Sequence, residues 1–164
     1  MQNFEKKNAK IKEAFLKMKS ESPENIKGTL NLSWSNWGFG IESLSDTAKR
    51  LEKNGIKFIE LHGNLYGKDI GYKTAETAKI LSDHGITPAG ICGMFSPDND
   101  LSSNRGIIRQ NAIDYIRRNL ELGNELGVTY MLVVPGAVGK AQKTDDCEFF
   151  RSAETLRVVG DDFV

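Results

Sequence analysis

The chain has 164 residues, 39% of them hydrophobic and 27% charged, which is enough apolar sequence for the core of a single soluble domain. Basic and acidic residues both number 22, so the zero formal charge argues against a nucleic-acid or membrane-surface partner and favours a small-molecule ligand. The two cysteines lie far apart in unlike contexts, which predicts neither a disulfide framework nor a zinc motif. Apolar runs are short, so we expect no transmembrane span or signal peptide and a cytoplasmic location.

Residues 1–20 predict an amphipathic leading helix. Its apolar residues recur at roughly helical spacing among lysines: Phe4, Ile11, Phe15 and Met18. This pattern is also typical of a membrane-binding or partner-binding helix, but we predict that the helix caps one end of the core and leaves its lysines in solvent. Residues 1–27 are therefore assigned as a leading helix and linker, and residues 28–164 as the main domain.

Three segments share one pattern, in which a glycine precedes an apolar, β-branched run and a second glycine follows it. They span residues 55–63, 85–93 and 127–136. A glycine just past a helix supplies the left-handed conformation that ends it, so the pattern predicts a helix, a stop, a strand and a loop. The segment at 127–136 is the most apolar and predicts a strand buried on both faces.

Four strand–helix units emerge along the chain. The predicted strands cover residues 28–33, 56–61, 86–92 and 128–134, and the predicted helices begin near Ser43, Thr74, Arg105 and Thr144. Asp46 completes a capping-box spacing with Ser43, and Phe149 begins the apolar face of the last helix. Pro88 argues against the third predicted strand, because proline has no backbone N–H to donate to a neighbouring strand.

Such alternation predicts parallel strands joined by right-handed crossovers, as in a doubly wound sheet or a (β/α)8 barrel. Periodicity cannot choose between these two folds. A complete barrel needs about 250 residues, so a chain of this length would hold only its first half. In both folds the ligand binds at the carboxyl ends of the strands.

The loops after the four strands contain the candidate substrate-binding residues: Trp34, Trp37, His62, Gly63, Phe95, Ser96 and Gly136, with Asn36 and Asn64 beside them. Aromatic faces stack on sugar rings, and Asn, Ser and His side chains hydrogen-bond hydroxyl groups, so this set predicts a polyol ligand. Tryptophans near a strand end are more often rim packing than ligand contacts, and a lone histidine is more often a hydrogen-bonding residue than a metal ligand.

A glycine-containing loop and a carboxylate inside a strand remain without an assigned function. The segment Gly136–Ala141 follows a strand, but its glycines are too close together for a phosphate-binding Walker motif and Ala141 replaces the magnesium-binding hydroxyl residue. Glu60 lies inside the second strand, where a carboxylate requires a partner that the sequence does not identify.

The order and spacing of several segments resemble those of a known family. A Leu-Ser-Ser loop at 101–103 precedes a long helix and then Leu-Gly-Val at 126–128, and the second strand at 55–61 also matches. From about Gly28 onward the chain resembles the xylose isomerase-like TIM barrels, in particular sugar phosphate isomerases and epimerases of the D-tagatose and D-psicose 3-epimerase type.

The resemblance implies the first four βα units of a (β/α)8 TIM barrel, with parallel strands in the order 1-2-3-4 behind a leading helix. It also implies a divalent metal, usually manganese, held by two Glu, an Asp and a His from strands five to eight. In such enzymes the two metal-bound glutamates exchange a proton beside the ketose carbonyl through an enediolate.

Those ligands would lie beyond Val164, so no catalytic or metal-binding residue is assigned, and Glu148 and Glu154 are interpreted as ordinary helix residues. We expect a truncated sugar phosphate isomerase/epimerase-like chain without ketose epimerase activity and without a tightly bound metal. The alternative is a non-catalytic half-barrel that binds a sugar or forms homo-oligomers through its open barrel edges.

Overall fold

The computed structural model describes residues 2–28, 30–39, 42–63 and 71–163. The helices and strands follow in this order: α1 Gln2–Glu21, β1 Ser33–Ser35, α2 Leu44–Lys53, β2 Phe58–His62, α3 Thr74–Asp83, β3 Thr87–Cys92, α4 Gly106–Leu126, β4 Tyr130–Leu132 and α5 Glu148–Val159. Short 3₁₀ helices cover Pro23–Ile26, Asn36–Phe39 and Gly160–Phe163. No helix in the described parts of the chain is long and apolar enough to cross a membrane.

The chain divides into two compact units, Met1–Asn31 and Leu32–Val164. The four strands of the second unit form one parallel sheet in the order β1-β2-β3-β4. This order confirms the predicted half-barrel, because each strand lies beside the next strand in sequence. The assignment of residues 1–27 and 28–164 as separate regions stays a prediction.

One face of the sheet packs against helices. Ile59, Leu61 and Ile91 are fully buried there, and they form one core with leucines of α2, α3 and α4: Leu51, Leu81 and Leu122. Burial of these aliphatic side chains is the main stabilising contribution of this layer. We call the opposite side of the sheet its inner face.

Local signals at the helix ends are confirmed. The Ser43 hydroxyl accepts a hydrogen bond from the Asp46 amide at 3.1 Å and donates one to the Asp46 carboxylate at 2.7 Å, so Ser43 caps α2. Three glycines that follow helices adopt positive φ angles: Gly55 at 68°, Gly85 at 62° and Gly127 at 70°. Each one turns the chain from a helix toward the next strand.

Two strands differ from their predicted positions. β1 begins at Ser33, the residue at which the sequence predicts its end, and its pairing with β2 starts with Ser33 opposite Phe58. β4 is not buried on both faces, since Tyr130 and Leu132 are each 48% exposed. This strand is at one edge of the described sheet, and the described residues leave its inner face half-exposed.

The start of one helix also differs from its prediction. α5 begins at Glu148 rather than Thr144, and Phe149 is 76% exposed, because the buried face of this helix is formed by Ser152, Thr155 and Val159. The predicted α1 is present, and its packing at one end of the core stays a prediction.

Pro88 is accommodated inside β3 by a register irregularity. Ile59 is opposite Pro88, but the next residue of β2, Glu60, is opposite Gly90, so Ala89 is an extra residue in its strand. The Ala89 carbonyl accepts hydrogen bonds from the amide and hydroxyl of Thr129, at 3.3 Å and 3.1 Å. The bulge at Ala89 therefore lets β3 continue to pair with its neighbours although Pro88 has no backbone N–H to donate.

Candidate functional site

The inner face carries polar side chains toward the carboxyl ends of the strands. Residues paired in register share one face of a sheet, and the first such row contains Ser35, Glu60, Gly90 and Tyr130. The next row, one step closer to the carboxyl ends, contains His62, Cys92 and Leu132. These two rows collect a carboxylate, an imidazole, a phenol, a thiol and a hydroxyl on one surface.

Glu60 and Tyr130 form the central contact of the first row. The Tyr130 hydroxyl donates a hydrogen bond to Glu60 Oε2 at 3.1 Å, although β3 lies between their strands. The Tyr130 ring lies directly over Gly90, where an added Cβ would be 2.2 Å from the ring. Burial, together with the charge of Glu60, raises the pKa of Tyr130, so the phenol stays protonated and remains a donor at neutral pH.

His62 lies at the end of β2, and its ring is partly exposed although both ring nitrogens are buried. Neither ring nitrogen has a hydrogen-bond partner among the described residues, and the same holds for the Ser35 hydroxyl. Burial lowers the pKa of His62, so its imidazole is neutral at neutral pH. A neutral imidazole offers one donor and one acceptor, which is the pattern that a sugar hydroxyl group can match.

Asn36 fixes the position of His62. The Asn36 side-chain oxygen accepts a hydrogen bond from the His62 backbone amide at 2.6 Å, and its amide nitrogen donates to the Tyr72 hydroxyl at 3.0 Å. Asn36 is buried, so it joins the exit of β1 to the exit of β2. Asn36 therefore acts as a positioning residue in this structure.

Gly63 allows β2 to approach α4 closely. Its amide donates to the Cys92 carbonyl at 2.8 Å, and an added Cβ would lie 2.8 Å from both the Tyr115 hydroxyl and Asn119 Oδ1. The Tyr115 hydroxyl accepts a hydrogen bond from the Met94 amide at 2.8 Å. Burial raises the pKa of Tyr115 to about 12, so this phenol is neutral throughout the physiological range.

A second polar group surrounds Lys140 in the loop after β4. The Lys140 amine contacts Asp100 Oδ2 at 3.4 Å, Ser102 Oγ at 3.2 Å and the Glu148 carboxylate. Asp100 is buried and also accepts hydrogen bonds from the Ser102 amide and hydroxyl, at 2.8 Å and 2.7 Å. The three protons of the Lys140 amine thus each have an acceptor. We call Lys140, Asp100, Ser102 and Glu148 the lysine group, and their contacts connect the loops after β3 and β4 to α5.

A groove of about 400 Å³ lies beside this lysine group, and residues lining it include Ser102, Gly136, Lys140, Glu148 and Phe149. Hydrogen bonds from Lys140 and from the Thr144 amide lower the pKa of Glu148 to about 2. Burial lowers the pKa of Lys140, but its contacts with Glu148 and Asp100 outweigh burial and raise that pKa above its ordinary value. Both groups are charged at neutral pH.

The fold can now be compared with known proteins. Residues 48–163 match the family described as the xylose isomerase-like TIM barrel. The chain belongs to this family. Its fold is similar to that of a D-psicose 3-epimerase solved in the presence of D-fructose, with a TM-score of 0.66 and 17% identity over 82% of this chain and 48% of that chain.

Two other solved structures show the same likeness. The D-psicose 3-epimerase of Clostridium cellulolyticum H10, solved with D-tagatose, has a TM-score of 0.64 and 18% identity over 80% of this chain and 48% of its own. The 3-keto-D-glucoside 4-epimerase of E. coli has a TM-score of 0.61 and 17% identity over 81% of this chain and 51% of its own. The xylose isomerase-like chain thus spans about half the length of these structures. A comparison with curated proteins found no match.

The structure separates the residues that the sequence grouped as a sugar site. His62 lies on the inner face, whereas Trp34 is opposite Ile59 on the other side of the sheet and is half-exposed. Trp37 is exposed on the 3₁₀ helix after β1, Gly63 packs under α4, and Asn64 lies outside the described residues.

The remaining predicted residues occupy loops or the core. Phe95 is buried and packs edge to face on Tyr115. The Ser96 amide and hydroxyl both donate to Asn99 Oδ1, at 2.6 Å and 2.9 Å, so Ser96 stabilises its own loop. Gly136 lines the groove beside Lys140. Of the seven predicted residues, His62 is the one whose side chain is on the inner face near Glu60.

Sequence reasoning missed Tyr130, the partner of Glu60. The available signal was a carboxylate inside an apolar strand, which demands a nearby donor. Sequence alone could not identify that donor, because Tyr130 reaches Glu60 only through the register of three strands and across Gly90. The buried Asp100 and its lysine partner were missed for the same reason, since they are 40 residues apart.

The described residues do not fit the divalent metal that the resemblance implies. Among them, no three His, Cys, Asp or Glu side chains come together in an arrangement that could hold a metal ion. Glu60, His62 and Cys92 share the inner face without forming such a group, and the Tyr130 hydroxyl donates a hydrogen bond to one oxygen of Glu60. Metal-assisted chemistry is therefore not assigned to these residues.

We predict that Glu148 makes stability depend on pH. Its pKa in the folded chain is about 2, below the ordinary value of 4.5, so its contribution is complete above pH 4.5 and is lost as the pH falls toward 2. Glu148→Gln should lower the urea midpoint at neutral pH, and this deficit should shrink across that window. Glu154→Gln alters an exposed carboxylate on the same helix and is the matched control. A deficit for Glu148→Gln that is equal at all pH values would contradict the prediction.

Proposed function

We propose that this chain is the sugar-binding half of a sugar isomerase or epimerase of the ketose 3-epimerase type. The observation that carries the proposal is the polar inner face at the carboxyl ends of β1 to β4, where Tyr130 contacts Glu60 and His62 lies on the same face in the next row. In (β/α)8 enzymes the substrate binds at this end of the barrel. Support also comes from the similar folds of epimerases solved with D-fructose and D-tagatose.

The chemistry of the inner face suits a ketose. The Glu60 carboxylate accepts hydrogen bonds from hydroxyl groups, and the neutral imidazole of His62 both donates and accepts them. Neither His62 nitrogen is paired within the described chain, so a sugar hydroxyl would replace a missing hydrogen bond rather than compete with an existing one. The lysine group is not assigned as a phosphate site, because Lys140 already contacts three acceptors.

The complete reaction of the proposed type moves a proton at the carbon beside the ketose carbonyl and requires an enediolate to be stabilised. A divalent metal supplies that stabilisation in the family that the sequence resembles. Since the described residues hold no metal-binding group, the proposal assigns to this chain the binding and orientation of the sugar. Glu60 is a binding group in this proposal and not the catalytic base.

The test compares the only two histidines of the chain. His62 lies on the inner face, whereas His84 follows α3 at the opposite end of the strands and contacts Glu52 at 2.7 Å. We expect the unmodified chain to bind D-fructose, D-tagatose or D-psicose with millimolar affinity, about 4 kcal/mol, because the sugar remains largely solvated. Saturation-transfer NMR should show His62→Ala weakening this binding about fivefold, the effect of one lost hydrogen bond.

His84→Ala should bind the sugars as the unmodified chain does, and circular dichroism should confirm that both variants are folded. Glu60→Gln offers an independent check, since it removes the carboxylate but keeps the shape of the side chain. Equal sugar binding by the unmodified chain and by all three variants would refute the assignment of the inner face.

A second candidate is a non-catalytic half-barrel that associates through its open edge strands. The observation in its favour is the exposure of Tyr130 and Leu132 on β4, since an uncovered edge strand offers both apolar surface and backbone groups for pairing. A chain that binds no sugar but forms an oligomer that Leu132→Asp dissociates would favour this function over the first.

A further inference from the structure

Helix α1 has a narrow exposed stripe with the spacing of a coiled-coil seam. The apolar side chains of the stripe are exposed to between 42% and 70%, namely Phe4, Ile11, Phe15 and Met18, and the exposed Leu16 lies beside it. With Asn8 included, the stripe follows steps of four, three, four and three residues along a helix of 20 residues. This alternation keeps one face of a helix in contact with a second helix.

The step lengths assign the heptad positions. A step of three leads from position a to position d, so Asn8 and Phe15 are at a, and Phe4, Ile11 and Met18 are at d. The residues that flank this seam are charged with one exception. Glu5, Lys12 and Lys19 are at e, and Lys7, Ala14 and Glu21 are at g.

The flanking charges distinguish the two orientations of a helix pair. In a parallel pair, position g faces the e position five residues later, which places Lys7 against Lys12 of the second helix and creates repulsion. In an antiparallel pair, e faces e and g faces g. Glu5 then faces Lys19 of the second helix, and Lys7 faces Glu21.

We propose that α1 binds α1 of a second copy of this chain as an antiparallel two-stranded coiled coil. By the two-fold symmetry of the pair, each favourable contact occurs twice, and Lys12 is the one charged flanking residue that faces its own counterpart. Ile11 packs against Phe15 of the second copy at the centre, and Asn8 lies beside Met18. Glu21 is available for this contact because its pairing with Lys17 in the same helix is long, at 4.0 Å, and exposed.

A membrane surface is the other partner that an amphipathic, lysine-rich helix suggests, since α1 has six lysines and three glutamates. Two observations favour the second copy. Glu5 and Glu21 flank the apolar stripe, where they would meet the headgroups of anionic lipids unfavourably. Asn8 interrupts the stripe, and a polar residue at position a is a recurrent feature of coiled coils.

Charge exchange tests the orientation directly. Sedimentation equilibrium of the full chain should show that Lys7→Glu raises the dissociation constant of the dimer about tenfold, because two attractive contacts become repulsive. Adding Glu21→Lys to this variant should restore dimerisation. The matched control is Lys6→Glu, which makes the same change one residue away, at position f outside the seam, and should leave the dimer unchanged.

Cysteine cross-linking provides a second, independent test. Cys147→Ser removes the exposed native thiol, and the resulting chain is the background for engineered cysteines. Oxidation of Asn8→Cys combined with Met18→Cys should give covalent dimers, whereas Asn8→Cys alone should not. The two positions are about 15 Å apart along one helix, so they cannot form a disulfide within one chain.

Three results would overturn the proposal. The first is cross-linking by Asn8→Cys alone, which indicates a parallel pair. The second is a dimer that responds equally to Lys6→Glu and Lys7→Glu. The third is a chain that remains monomeric at 100 µM and sediments with vesicles containing phosphatidylserine, which identifies α1 as a membrane-binding helix.

Discussion

Replacing Phe95 with alanine is expected to lower the free energy of unfolding by about 3–5 kcal/mol, the cost of a large cavity in a packed core. Phe95 is 2% exposed, and its ring meets that of Tyr115 edge to face, with centroids 5.2 Å apart. Leu101, Ile116 and Val159 belong to the same buried cluster. Urea unfolding followed by circular dichroism measures the loss.

Phe149→Ala is the matched control because it makes the same substitution at a side chain that is 76% exposed. Its effect should stay within about 0.5 kcal/mol. Phe95→Leu should recover part of the lost stability by refilling some of the volume. If Phe95→Ala unfolds at the same urea concentration as the unmodified chain and instead weakens sugar binding, then Phe95 is a ligand contact, as the sequence suggested.

Replacing Gly63 with alanine should destabilise the chain by about 1–3 kcal/mol through overpacking. The new Cβ would be 2.8 Å from the Tyr115 hydroxyl and Asn119 Oδ1, and 3.1 Å from the Cys92 carbonyl. Tyr115 and Asn119 are buried, and the Tyr115 hydroxyl is held by the Met94 amide, so these atoms have little freedom to move away. Thermal unfolding should show a decrease of roughly 3–10 °C in Tm.

Gly106→Ala separates this steric effect from the general effect of removing a glycine. An added Cβ at Gly106 would meet no atom within 4 Å, and the residue begins α4, so alanine there should be neutral or slightly stabilising. A Gly63→Ala variant as stable as the Gly106→Ala variant would show that β2 and α4 are not tightly packed at this point.

The sequence by itself determined the features that depend on neighbouring residues. Ser43 and Asp46 are three residues apart and cap α2 by direct contact, and Gly55, Gly85 and Gly127 end helices through their own φ angles. The order of the four strands was predictable from the resemblance to a barrel family, because consecutive strands of a (β/α)8 barrel lie side by side, whereas strand–helix alternation alone also fits a doubly wound sheet. The candidate site was predictable only as a region, the loops at the carboxyl ends of the strands.

Tertiary structure alone decided which side chains meet in that region. Trp34 and His62 both lie near the carboxyl end of a strand, yet the alternation of side chains along each strand directs them to opposite faces of the sheet. A shift of one residue in the register of one strand would move its side chain to the other face. Glu60 and Tyr130 are 70 residues apart and meet because Gly90 has no side chain between them. Hydrophobicity predicted that β4 would be buried on both faces, but whether apolar surface is covered depends on which elements lie beside it, and that is a property of the assembled structure.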